Sequence, residues 1–177
     1  MIKMFFLFVF IFFAGCSEAE ELYSRVYVDE YSDLIGKSLS DVKAIFGAEN
    51  VESYSLSGHD PESALSAFKI INEDKVFFIT GRDNVESLLF RDHIFKTEQG
   101  VQISQGYCEV VSAYSGVKFY FGFEEGGILQ LKLEPKKTVL KFDTSNLPIG
   151  EYVTKGLPLR DDKSLCSSSL TEIEIYK

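Results

Sequence analysis

Tryptophan is absent from the chain, histidine occurs twice and cysteine three times. That leaves little material for a zinc site, whose ligands come as sets of Cys and His at characteristic spacings. Cations are short as well: 18 Lys+Arg stand against 27 Asp+Glu, a formal net charge of −9. A nucleic-acid binder takes most of its affinity from neutralising phosphates, so that class is excluded. The apolar run at residues 5–13 is too short for a membrane-spanning helix, which needs about 20 residues. What is present is ordinary for a globular chain. Its 177 residues are 45% hydrophobic and 25% charged, enough for one domain with a sizeable core.

The first fifteen residues, MIKMFFLFVFIFFAG, hold both methionines and six of the 16 phenylalanines. Lys3, the apolar run and the small pair Ala14-Gly15 give the layout of a secretory signal peptide. Phe13-Ala14-Gly15-Cys16 resembles the bacterial lipobox, usually Leu-Ala/Ser-Gly/Ala-Cys. The resemblance implies cleavage before Cys16 and acylation of that residue. Acyl chains then anchor the protein without any spanning helix. Ser17, which is not Asp, implies sorting to the outer membrane under enteric-type rules. Residues 1–15 are therefore read as signal peptide, 16–31 as an acidic tether and 32–177 as a single domain.

Within that domain a weak internal similarity recurs at an offset of 68 residues. Ile35-Gly-Lys-Ser-Leu-Ser-Asp-Val-Lys-Ala-Ile-Phe-Gly47 aligns with Ile103-Ser-Gln-Gly-Tyr-Cys-Glu-Val-Val-Ser-Ala-Tyr114. Ser38 and Gly106 take N-cap positions, each with an acid three residues on, Asp41 or Glu109. Leu39, Val42 and Phe46 match Tyr107, Val110 and Tyr114 as one apolar helical face. Gly47 and Gly116 fall where a left-handed C-terminal cap is expected. Strands are expected at 51–57, 67–71, 76–80, 85–90, 94–96, 117–123, 128–134, 139–142 and 172–176, from alternation and turn residues. The turns include 72–75 and 124–127, and a long loop precedes the last strand. The fold class that follows is α+β: an antiparallel sheet with two short helices packed on one face.

The helix motif resembles the Gly-x-Ser/Thr-x-x-x-Val element of SmpA/BamE-like small lipoproteins. A longer likeness covers 67–177, carried by Val85-Glu-Ser-Leu, Thr97-Glu-Gln-Gly-Val-Gln-Ile103, Glu109-Val-Val-Ser-Ala-Tyr-Ser-Gly116, Leu159-Arg-Asp-Asp-Lys and Leu170-Thr-Glu-Ile-Glu-Ile-Tyr176. These resemble the RpoE-regulated lipoprotein family of Gram-negative envelopes. Ser104 replaces a Gly usual in that family, and Ile175-Tyr176 stands where a Trp is common. The resemblance implies a periplasm-facing outer-membrane lipoprotein linked to envelope stress. It transfers no catalytic residue.

Groups for catalysis are sparse. Cys108 with His93, and the string Ser57-Gly-His59-Asp60, are the combinations to test, and neither sits in a nucleophile elbow. His59, Asp60 and Glu62 could supply one edge of a metal site, but zinc-ligand spacing is missing. Asp60-Pro61 reads as a turn or helix start. Glu124-Glu125 and Asp161-Asp162 read as solvated turns, and Gly126-Gly127 as a hairpin rather than a phosphate cradle. No enzyme, cofactor or metal is expected. Tyr23, Tyr27, Tyr31, Tyr54 and Tyr120 are candidates for an aromatic recognition surface. The expected role is non-catalytic: binding an envelope protein or maintaining the membrane, with inhibition of a cationic enzyme such as lysozyme as the alternative. Cys108 and Cys166, the even pair left after lipidation, are expected to be bridged in an oxidising compartment. The alternative is two thiols packed as small hydrophobes.

Overall fold

Period-two alternation builds most of this chain, and two capped apolar stripes interrupt it. The computed structural model describes residues 26–55, 66–124, 127–134, 136–145, 147 and 162–177. Its strands are β1 (Val26–Tyr27), β2 (Val51–Tyr54), β3 (Ser66–Asn72), β4 (Lys75–Gly81), β5 (Val85–Phe90), β6 (Phe95–Lys96), β7 (Lys118–Glu124), β8 (Ile128–Glu134), β9 (Thr138–Asp143) and β10 (Ser169–Tyr176). The helices are α1 (Leu39–Phe46) and α2 (Tyr107–Ala113), with 3-10 turns at Val28–Leu34, Ala48–Asn50 and Lys163–Ser167. The class is α+β, dominated by one antiparallel sheet.

That sheet has eight strands in the order β2-β3-β4-β5-β10-β9-β8-β7. The chain runs a helix and then a four-stranded meander, twice. The two meanders meet at their last strands, where β5 pairs antiparallel with β10. The N-caps Ser38 and Gly106 stand 68 positions apart, the offset of the sequence similarity. At Ser38 a full capping box forms: its hydroxyl accepts from the Asp41 N–H, and its own N–H donates to the Asp41 carboxylate. Gly106 offers no side chain, so α2 begins without that support. Gly47 caps α1 at φ 89°, a conformation that costs glycine nothing. Gly116 also has positive φ, but α2 closes earlier, at Tyr114.

Cross-strand pairing aligns one residue from each strand into transverse rows. Val51, Ile70, Phe77, Phe90, Ile173, Leu140, Leu131 and Phe121 form an apolar row across the whole sheet. Six of these are 0% exposed, Val51 is 8% and Phe121 at the far edge is 37%. Val42 of α1, Tyr107, Val110 and Val111 of α2, and its C-cap Tyr114 share the apolar cluster of the inner residues of that row. The neighbouring row points the other way, because side chains alternate along a strand. It reads Glu52, Lys69, Phe78, Leu89, Glu174, Val139, Lys132 and Tyr120. Mixed charged and apolar residues line that second face.

Several boundaries differ from the sequence reading. Residues 26–31, assigned there to the tether, belong to the domain. Val26 and Val28 are buried, β1 pairs in parallel with β6, and the Tyr31 ring lies 4.6 Å from that of Phe77. A segment rich in acids and tyrosines carried no alternation to reveal this packing. The strand expected at 51–57 ends at Tyr54, and 56–57 lie outside the described residues. The expected loop before the last strand contains a 3-10 helix, capped where Asp162 Oδ1 accepts from the Ser164 N–H. At β4–β5, a Cβ on Gly81 would stand 1.9 Å from the Asn84 carbonyl, so only glycine fits that turn.

Candidate functional site

On the second face, β10 presents Glu172 and Glu174 between the inward-facing Ile173 and Ile175. The register brings Lys141 of β9 opposite Glu172. Lys141 Nζ lies 2.8 Å from Glu172 Oε1 and 3.0 Å from Glu174 Oε2. Arg91, just after β5, donates its Nε–H to Glu172 Oε2 at 2.6 Å. Glu172 is thus held between two cations with only 8% of its side chain exposed. Burial disfavours the Lys141 ammonium, but Glu172 and then Glu174 outweigh it and hold its pKa above the ordinary lysine range. Arg91 is raised for the same reason: burial acts against its charge, and Glu172 more than compensates.

The guanidinium of Arg91 also sits over the Phe78 ring, 5.3 Å from its centroid, and Tyr54 packs 4.6 Å from Phe78. Beside them runs an open groove of about 350 Å³ lined by Val76, Phe78, Arg91, Asp92, His93, Ile103 and Ser104. Ser104 has φ 76°, a left-handed conformation that a non-glycine residue adopts at some cost. The surface combines a cation over an aromatic ring, half-buried apolar walls and fixed ion pairs. That chemistry suits non-covalent recognition.

The residues singled out in the sequence are dispersed by the fold. His93 is 74% exposed, with Nδ1 3.0 Å from Asp92 Oδ1. Cys108 does not face it as a free thiol, since Cys108 and Cys166 stand at bonding distance with their Cα atoms 4.8 Å apart. That contact fastens α2 to the 3-10 helix Lys163–Ser167, together with the Tyr107 N–H donating to the Ser168 carbonyl. Cys16, Ser57, His59, Asp60, Pro61, Glu62, Tyr23, Glu125, Gly126 and Asp161 lie outside the described residues. No three His, Cys, Asp or Glu side chains among the described residues are grouped to hold a metal ion. No described helix is long and apolar enough to cross a membrane.

The described tyrosines do not form one patch. Tyr31 packs into the core, while Tyr54 and Tyr120 belong to strands at opposite edges of the sheet. Tyr27 is 39% and Tyr120 45% exposed, each with a lysine ammonium over its ring, Lys96 and Lys118. The Arg91–Glu172–Lys141 cluster was missed by sequence reasoning. Glu172 and Glu174 alternating with two isoleucines gave a faint signal, but which cations oppose them depends on strand order.

No protein-family model matches the chain, and no curated protein matches it. Among solved structures it is similar to the uncharacterized protein yfeY from Escherichia coli. The identity is 16%, over 72% of this chain and 80% of that one, with a TM-score of 0.45.

Proposed function

We propose that this chain is a non-catalytic bacterial envelope lipoprotein, acylated at Cys16, anchored in the outer membrane and facing the periplasm. Its role is to bind an envelope protein or maintain the envelope under stress. The observation that carries this reading is Phe13-Ala14-Gly15-Cys16 directly after a signal-like apolar run. The family likeness along 67–177 supports it. In the finer fold reading, α1 and α2 cover the same face of the sheet, and their shared apolar cluster supports that arrangement. The opposite face, with the Arg91 groove, is then left to a partner.

Globomycin treatment tests the anchor: the uncleaved precursor should accumulate. Unchanged processing removes the reading. A photo-crosslinking residue at Val76, on the groove wall, should capture a defined envelope protein in living cells. A second reading, inhibition of a cationic enzyme, is favoured by the net charge of −9. Lysozyme inhibition that fades with salt would select it, and no inhibition at micromolar protein would dismiss it.

A further inference from the structure

The two edges of the eight-stranded sheet are unlike. β2 closes one edge with four residues, and its member of the apolar row, Val51, is 8% exposed. β7 closes the other with seven residues, Lys-Phe-Tyr-Phe-Gly-Phe-Glu, and contains no proline. It pairs with β8 on one side, and among the described residues no strand lies on the other. A long edge strand without proline or bulge is a template for another strand. The apolar row meets that edge at Phe121, 37% exposed, with Tyr120 beside it at 45%. Those two are among four exposed large hydrophobic residues identified on the described surface. The row is buried across seven strands and stops, unfinished, at the eighth.

The sequence of β7 is complementary to itself when reversed. Antiparallel pairing about a two-fold axis at Phe121 sets Lys118 opposite Glu124, residues of opposite charge, and sets Phe121 opposite its own copy. We propose that β7 is a self-recognition edge, through which two copies of this chain pair antiparallel and continue the sheet from one molecule into the next. The contact is isologous and therefore closes at two copies. Register places a lysine and a glutamate at each end, and its centre lies at the exposed end of the apolar row. This goes beyond the lipoprotein reading and does not depend on it.

Sedimentation velocity of the unaltered full chain should show a monomer–dimer equilibrium at micromolar concentration, and a monomer throughout that range overturns the proposal. Register is read by cysteine crosslinking, with the unaltered chain as control for its own cysteines. Phe121→Cys lies on the axis, where facing Cα atoms come within about 5.5 Å, and should oxidise to a crosslinked dimer. Lys118→Cys is displaced from its own copy by about 20 Å and should not. Equal crosslinking at both positions overturns the register. Lys118→Glu should weaken the dimer about tenfold, from two symmetric like-charge contacts, and adding Glu124→Lys should restore it. Weakening that the double variant fails to reverse also counts against the pairing.

Discussion

The two halves of the sheet share one plan and are held by different means. In the first half, α1 is secured locally by the Ser38–Asp41 capping box, and its buried residue is Val42. Beneath it lies a cluster of rings, with Phe77 stacked 5.6 Å from Phe90 and contacted by Tyr31, Phe46 and Phe95. In the second half, α2 has no side-chain cap but buries Tyr107, Val110 and Val111. Leucines, Leu129, Leu131, Leu133 and Leu140, fill the sheet there. Cys108 and Cys166 add a tie across a separation of 58 residues. Helices of 8 and 7 residues are too short to persist alone. Each half therefore adds something beyond helix propensity, one a local cap and the other a long-range clasp.

The strongest test of this contrast is in the core. Phe77→Ala should cost about 3–5 kcal/mol and Leu131→Ala about 2–5, with the ring loss the larger of the two. Urea unfolding midpoints measure both. Equal losses would erase the distinction between the ring cluster beneath α1 and the leucines of β8 and β9.

Reduction comes next. Mass spectrometry of non-reduced, alkylated protein should find Cys108 and Cys166 joined, and separate alkylation of both would refute the clasp. Breaking it should cost about 2–4 kcal/mol. Hydrogen exchange should then quicken at α2, including the Tyr107 amide bonded to Ser168, and leave α1 unchanged.

A smaller effect concerns the seam between the halves. Glu172→Gln leaves two cations short of a partner in a half-buried setting. About 2 kcal/mol should be lost, below the full cost of breaking a buried pair because Arg91 is partly solvated and Lys141 keeps Glu174. Glu52→Gln, which removes the exposed pair with Lys69 at 3.3 Å, should cost under about 1 kcal/mol.

The cap contributes on a similarly small scale. Ser38→Ala should cost about 1 kcal/mol. Hydrogen bonds from the Ser38 hydroxyl and backbone N–H hold Asp41 below its ordinary value of 3.8. A depressed folded pKa means the carboxylate stabilises fully above that ordinary value and ceases to do so as pH falls through the folded one. The gap in urea midpoint between the unaltered chain and Asp41→Asn should therefore close on acidification. A gap that persists into strong acid would show that the carboxylate is not what caps α1.

Much of the fold was legible because alternation is local. The 128–134 and 85–90 strands fall where their sequences place them, and the turn at 72–75 joins β3 to β4 by pairing Asn72 with Lys75. The helix starts at Ser38 and Gly106 were readable for the same reason. Tyr31 was not, since the rings packed against it are Phe77, Phe90 and Phe95, about 46 to 64 positions away in sequence. The Arg91 groove was equally hidden. Its walls come from β4, the end of β5 and residues 103–104, which only the folded sheet assembles.

The sequence alone determined which residues alternate and where the two helices begin. These are nearest-neighbour properties, set by side-chain direction and backbone preference within a few residues. The tertiary structure decided that the two meanders join at β5 and β10. That junction brings Glu172 between Arg91 and Lys141, and it leaves β2 and β7 as the edges. Strand order rests on contacts between distant segments, and the same alternating strand can pair with many neighbours until a common core selects one arrangement.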